Sequence, residues 1–78
     1  MKTEIHTLRM WLIFENERSL IVADAAKNAR REFCLPRSLI DRMTKFPKPD
    51  EPLTYRPIEF TLPGWKVESA GLWEFVVS

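Results

Sequence analysis

Seventy-eight residues allow a single domain, 1–78, with a small core. Apolar residues make up 45% of the chain, and three Trp, five Phe and one Tyr are among them, which excludes a disordered polymer. The formal net charge of +1 excludes a strongly polycationic or polyanionic chain, and the single cysteine, Cys34, excludes an intrachain disulfide.

The first element predicted is a strand over 3–14, "TEIHTLRMWLIF", rich in β-branched and aromatic residues. Period-two alternation places Leu8, Met10, Leu12 and Phe14 on a core face. Ile5, Thr7, Arg9, Trp11 and Ile13 fall on the other. Its apolar run "MWLIF" is too short for a signal-peptide core or a membrane span, so the expectation is a soluble cytoplasmic protein.

"SLIVADA", 19–25, reads as a second strand, and the four residues before it suit a hairpin. Residues 24–33 allow two readings. Asp24 could cap a short helix, or "KN" could be a hairpin tip with "ARREFCL" returning as the third strand. The alanine-only apolar face of such a helix favours the hairpin. Pro36 ends the third strand and suits a helical start, so one or two helical turns are predicted over 36–43. Cys34, between Phe33 and Leu35, is expected as a small buried hydrophobe.

Residues 44–57 contain four prolines and read as a surface loop tacked down by Phe46 and Tyr55. "IEFTL", 58–62, alternates cleanly and stops at Pro63. "GWKVESAG" follows as two helical turns closed by Gly71. "LWEFVVS" reads as the last strand. The sum is a mostly β fold: a small five-stranded antiparallel curled sheet or barrel with one or two short helices.

The steps "FCLPRSLID" (33–41) and "IEFTLPGWKVESAGL" (58–72) share a Phe-x-Leu-Pro pattern. Together they resemble a group of small phage and prophage proteins with a strand ending in "WLPKSQI" and a later "VTIPEWLAEEKGL" segment. The features in common are Leu35, Pro36, a basic residue, Ser38 and Ile40, then Leu62, Pro63, Trp65, Gly71 and Leu72. Leu39 stands where that group has Gln, and Gly64 where it has Glu. The resemblance covers about 24 residues and implies a compact β-rich fold and a phage or mobile-element origin. It transfers no chemistry.

Charge is unevenly spread along the chain. Residues 25–48 hold seven basic groups and two acidic ones, whereas 49–78 hold two basic and five acidic. Lys27, Arg30, Arg31, Arg37 and Arg42 from this basic middle are candidate binding residues, with Trp11 and Trp65 as candidate aromatic anchors. Each has a bland alternative: a solvated charge for the cations, a core contact for the tryptophans. Arg37 and Arg42 lie about one helical turn apart and could grip a phosphate or a carboxylate.

One His and one Cys make no zinc set. The carboxylates show no general acid–base spacing, and two glycines make no phosphate-cradling loop. No catalytic residue, metal or cofactor is therefore expected. The expected function is a non-enzymatic accessory protein that binds a host protein complex, such as a CRISPR effector, as an anti-CRISPR-like inhibitor. The alternatives are a small β-barrel binding single-stranded DNA or RNA through the basic segment, and a phage structural or assembly component.

Overall fold

The computed structural model describes residues 4–51 and 54–77. Five strands form one antiparallel sheet: β1 (Ile5–Glu15), β2 (Ser19–Ala23), β3 (Glu32–Pro36), β4 (Met43–Lys45) and β5 (Arg56–Pro63). Their spatial order is β3-β2-β1-β5-β4. The sheet is open, with β3 and β4 as its two edges. Of the curled sheet and the closed barrel that the sequence allows, the molecule is the former.

The core covers one face of this sheet. Leu8 and Met10 of β1, Leu20 and Val22 of β2, Leu35 of β3, and Ile58, Phe60 and Leu62 of β5 are buried there. Alternation supplies this face, as each strand turns every second side chain inward. The layer above it is discontinuous. A 3₁₀ turn (Arg37–Leu39) carries the chain from edge β3 toward edge β4, bringing Leu39, Ile40 and Met43 onto the core. Helix α1 (Gly64–Ala70) adds Val67, and the segment after it adds Leu72, Phe75 and Val76.

The two Leu-Pro steps do the same job. Pro36 (φ −66°, ψ 127°) and Pro63 (φ −65°, ψ 148°) each end a strand and stand immediately before a helical turn. The fixed proline φ is compatible with both roles. Gly71 closes α1 with φ 69°, a left-handed conformation. The N–H of Leu72 then donates to the Val67 carbonyl at 3.0 Å, which completes the cap.

Pro57 lies inside β5, between two neighbouring strands. Thr61 donates its N–H toward β4, to the Arg42 carbonyl, so the odd residues of β5 face that side. Strand β4 ends at Lys45, opposite Ile58, before it reaches Pro57. Only the Pro57 carbonyl is used there, by the N–H of Phe46 at 3.0 Å. The missing proline N–H thus removes no ladder bond.

Several expectations are corrected by the fold. Phe14 is not in the core but 54% exposed. Leu12 lies opposite Val22 while Phe14 lies opposite Ile21, so β1 carries a bulge between them. One extra residue reverses the alternation, turning Phe14 away from the core. Residues 24–31 form a wide hairpin connection, the favoured of the two readings, but the return strand begins later than expected. Asp24 accepts the N–H of Arg30 at 3.1 Å, and Asn28 takes φ 55°, which Asn tolerates. The third strand starts only at Glu32.

Met43 belongs to β4, opposite Phe60, and not to a helix. Cys34 is exposed, because alternation sends Phe33 and Leu35 inward and leaves the thiol on the open face of an edge strand. Residues 72–77 do not form a strand. Trp73–Phe75 make a second 3₁₀ turn, and only Val76 pairs, in a single bridge with Leu8. This segment occupies the side of β1 that β2 leaves vacant, since β2 reaches no further than Trp11.

Described residues of the proline-rich stretch contact β1 and the β2–β3 connection. Phe46 packs under the Arg9 guanidinium, 5.6 Å from its ring centre. Tyr55 donates its N–H to the Ala26 carbonyl at 2.8 Å, and Glu51 pairs with Lys27 at 3.3 Å. Among the described residues, no helix is long and apolar enough to cross a membrane.

Candidate functional site

The fold disperses the basic middle of the sequence and pairs much of it with acids from the two ends. Lys27 meets Glu51. Arg31 meets Glu74 and lies 3.8 Å from Asp24, with its guanidinium 5.5 Å from the Phe33 ring centre. Arg37 binds Glu15 at 2.7 Å, and Lys45 binds the other oxygen of the same carboxylate. The charge asymmetry along the chain is largely satisfied within the molecule.

Arg30 and Arg42 are exposed, and among the described residues neither guanidinium pairs with a carboxylate. They sit on different connections: Arg30 between β2 and β3, Arg42 just before β4. Arg37 and Arg42 do not form a joint phosphate grip, because Arg37 is committed to Glu15 and the chain between them leaves the helical path after Leu39. Ser38, beside Arg37, is exposed.

Trp11 is half-buried on the second face, where its ladder partner Ala23 is fully buried. Trp65 is 58% exposed on α1. It has company that the sequence pattern did not reveal. Trp73 is 47% exposed, and Ile5 and Val77 are exposed as well.

The backbone brings these four residues to one end of β1, Ile5 on the sheet face opposite that of His6, which Trp73 meets. Ile5 lies opposite Pro63, two residues before Trp65, and the Gly64 N–H donates to the Glu4 carbonyl at 2.6 Å. The Val77 N–H donates to the Thr7 carbonyl at 2.8 Å. Trp73 meets the His6 ring edge-on, with centroids 5.0 Å apart. Its indole N–H donates to the carboxylate of Glu68, one helical turn from Trp65. Of the five exposed large hydrophobic residues among those described, only Phe14 lies elsewhere, at the opposite end of β1.

This arrangement holds one indole in place and leaves the other free. Trp73 is fixed by Glu68 and His6, whereas Trp65 projects from the first turn of α1. Reading "LWEFVVS" as a strand hid Trp73, since a regular strand places it beside Phe75 rather than over His6. Chemically the end offers apolar area and the Trp65 indole N–H.

His6 and Cys34 lie on opposite faces of the sheet, on strands separated by β2. Among the described residues, no three His, Cys, Asp or Glu side chains cluster as metal ligands. No family model, curated protein or solved structure matches this chain.

Proposed function

We propose that this chain is a non-enzymatic protein-binding module that docks through the apolar end built from Ile5, Trp65, Trp73 and Val77. The observation that carries the reading is that, among the described residues, four of the five exposed large hydrophobic residues lie around one end of β1. Isolated exposed apolar side chains are ordinary, but a group containing two tryptophans marks an interaction surface. A pre-held Trp73 loses little rotamer freedom on binding, which favours affinity.

The resemblance to small phage proteins supports a partner in a host complex, with inhibition of a nucleic-acid-handling defence complex, in the anti-CRISPR manner, as the action. Such an inhibitor works in the host cytoplasm by occupying a surface its target needs. Direct binding of single-stranded nucleic acid through the basic segment has less support, because Lys27, Arg31, Arg37 and Lys45 are engaged with carboxylates.

Affinity capture from the host with wild type and with a Trp65→Ala, Trp73→Ala double variant tests this. The expected result is one complex retained by wild type and lost by the variant at similar thermal stability. A plaque assay with an active CRISPR system reads the inhibitor form. Equal capture by both proteins would overturn the docking surface, and no phage advantage would overturn the inhibitor.

A further inference from the structure

The sheet has a gap at the end of β1 farthest from Trp65 and Trp73. Strand β5 begins at Arg56, opposite Leu12, whereas β1 continues to Glu15. Beside this overhang lies a cavity of about 350 Å³, lined by Ile13, Phe14 and Tyr55 together with Lys45, Lys48 and Arg56. Its volume is within the range of small-molecule sites, roughly 300–1,000 Å³.

The polar groups of this cavity are unevenly satisfied. Glu15 also lines it but is already compensated by Lys45 and Arg37. Among the described residues, Lys48 and Arg56 pair with no carboxylate. Thr54, a further lining residue, is only 5% exposed, and among the described residues its hydroxyl has no hydrogen-bond partner. A buried hydroxyl without a partner is uncommon and calls for one. Two cations and a hydroxyl are the complement of a compact, doubly charged anion. The two aromatic residues, Phe14 more than half exposed and Tyr55 partly so, offer ring faces for a planar group.

We propose that this groove binds a nucleoside phosphate. Its phosphates are held by Lys48, Arg56 and the Thr54 hydroxyl, and its base lies against Phe14 or Tyr55. A mononucleotide suits the site better than a polynucleotide. The uncompensated cations are confined to one groove, and a chain of net charge +1 gives an extended phosphate backbone little counterion-release drive. The site is separate from the tryptophan end and does not rest on the docking reading.

The test is an amide-shift NMR titration at low salt with ADP, adenosine and inorganic phosphate as probes. Wild type is compared with Lys48→Glu, Arg56→Glu, Thr54→Val and the remote Arg42→Glu. ADP is expected to shift Ile13, Phe14 and Tyr55 saturably, with Kd below about 1 mM. Lys48→Glu and Arg56→Glu each weaken this by about tenfold, Thr54→Val by a few-fold, and Arg42→Glu leaves it unchanged. Adenosine and phosphate alone bind about tenfold more weakly than ADP.

Absence of saturable shifts up to about 5 mM ADP would overturn the site. So would equal weakening by Arg42→Glu, which would mark general electrostatics. Phosphate matching ADP would overturn the recognition of a nucleoside. Lys48 and Arg56 are exposed, so their variants should keep the fold, and unchanged amide dispersion outside the groove verifies it. Capture of a host complex through Trp65 is unaffected by any of these outcomes.

Discussion

The Arg37 guanidinium donates to the Glu15 carboxylate at 2.7 Å, tying the turn after edge strand β3 to the far end of the central strand β1. Lys45 of the other edge strand binds the same carboxylate. One acidic side chain thus joins both edges of an open sheet. The β1 bulge makes this possible. By reversing the alternation after Leu12, it turns Phe14 outward and brings Glu15 to the side of Leu20, its ladder partner.

Lys45 first, and then Arg37, hold the Glu15 carboxyl below its usual range. A depressed folded-state value contributes stability above the unfolded-state pKa and loses it as pH falls through the folded one. Glu15→Gln should therefore lower stability at neutral pH. Both cations are partly exposed, so solvent screening limits the loss to about 0.5–1 kcal/mol. Thermal melts should show the gap between variant and wild type closing in acid, below the ordinary glutamate value of about 4.3. A gap independent of pH would assign the effect to packing instead.

Gly71 and Gly64 should respond differently to alanine. At Gly71 a Cβ meets no atom within 4 Å, but φ is 69°, so the penalty is purely conformational. Gly71→Ala should cost about 1 kcal/mol, and Gly71→Asn less. At Gly64 a Cβ would make ordinary contacts of 3.5–3.6 Å with Glu4 and His6, and Gly64→Ala should be near neutral. Urea denaturation of the three variants distinguishes the cases.

Phe60 and Phe14 are the same residue type in opposite environments. Phe60 is 1% exposed at the centre of the core. Phe60→Ala should lose about 3–5 kcal/mol, enough to unfold much of so small a domain, and Phe60→Leu should lose less. Phe14→Ser should change the melting temperature little, despite the strand pattern that places Phe14 in line with Leu8 and Met10. Comparable destabilisation by the two polar or small substitutions would refute the bulge.

Cys34 is exposed on the open face of an edge strand. A colourimetric thiol reagent should label one thiol per folded chain without denaturant, at a rate near that in urea. Labelling only after denaturation would place the thiol inside.

Most of the architecture was legible from local chemistry. The alternation of "IEFTL" gave β5 its inner face of Ile58, Phe60 and Leu62. Pro36 and Pro63 read as strand ends followed by helical turns, and Gly71 as the helix stop. Trp65 was legible as a candidate anchor, beside a core reading, because tryptophan is enriched at interfaces, and its exposure on α1 decides between the two. Ile5, Val77 and Trp73 were not, because their exposure depends on which segment occupies the side of β1 that β2 leaves open.

What the sequence by itself determined was the set of local preferences: strand periodicity, proline stops, a glycine cap and a one-sided apolar face. The tertiary structure alone decided strand order, the bulge, the three-residue β4 and the fate of residues 72–77. A strand as short as Met43–Lys45 has too few residues for a period and exists because Ile58, Glu59 and Phe60 offer it a ladder. The pairing of the basic middle with Glu15, Glu51 and Glu74 is likewise non-local. Periodicity is written in neighbouring residues, whereas these ion pairs join residues 22 to 43 positions apart and the β1–β5 register joins residues still farther apart, and only the folded chain brings them together.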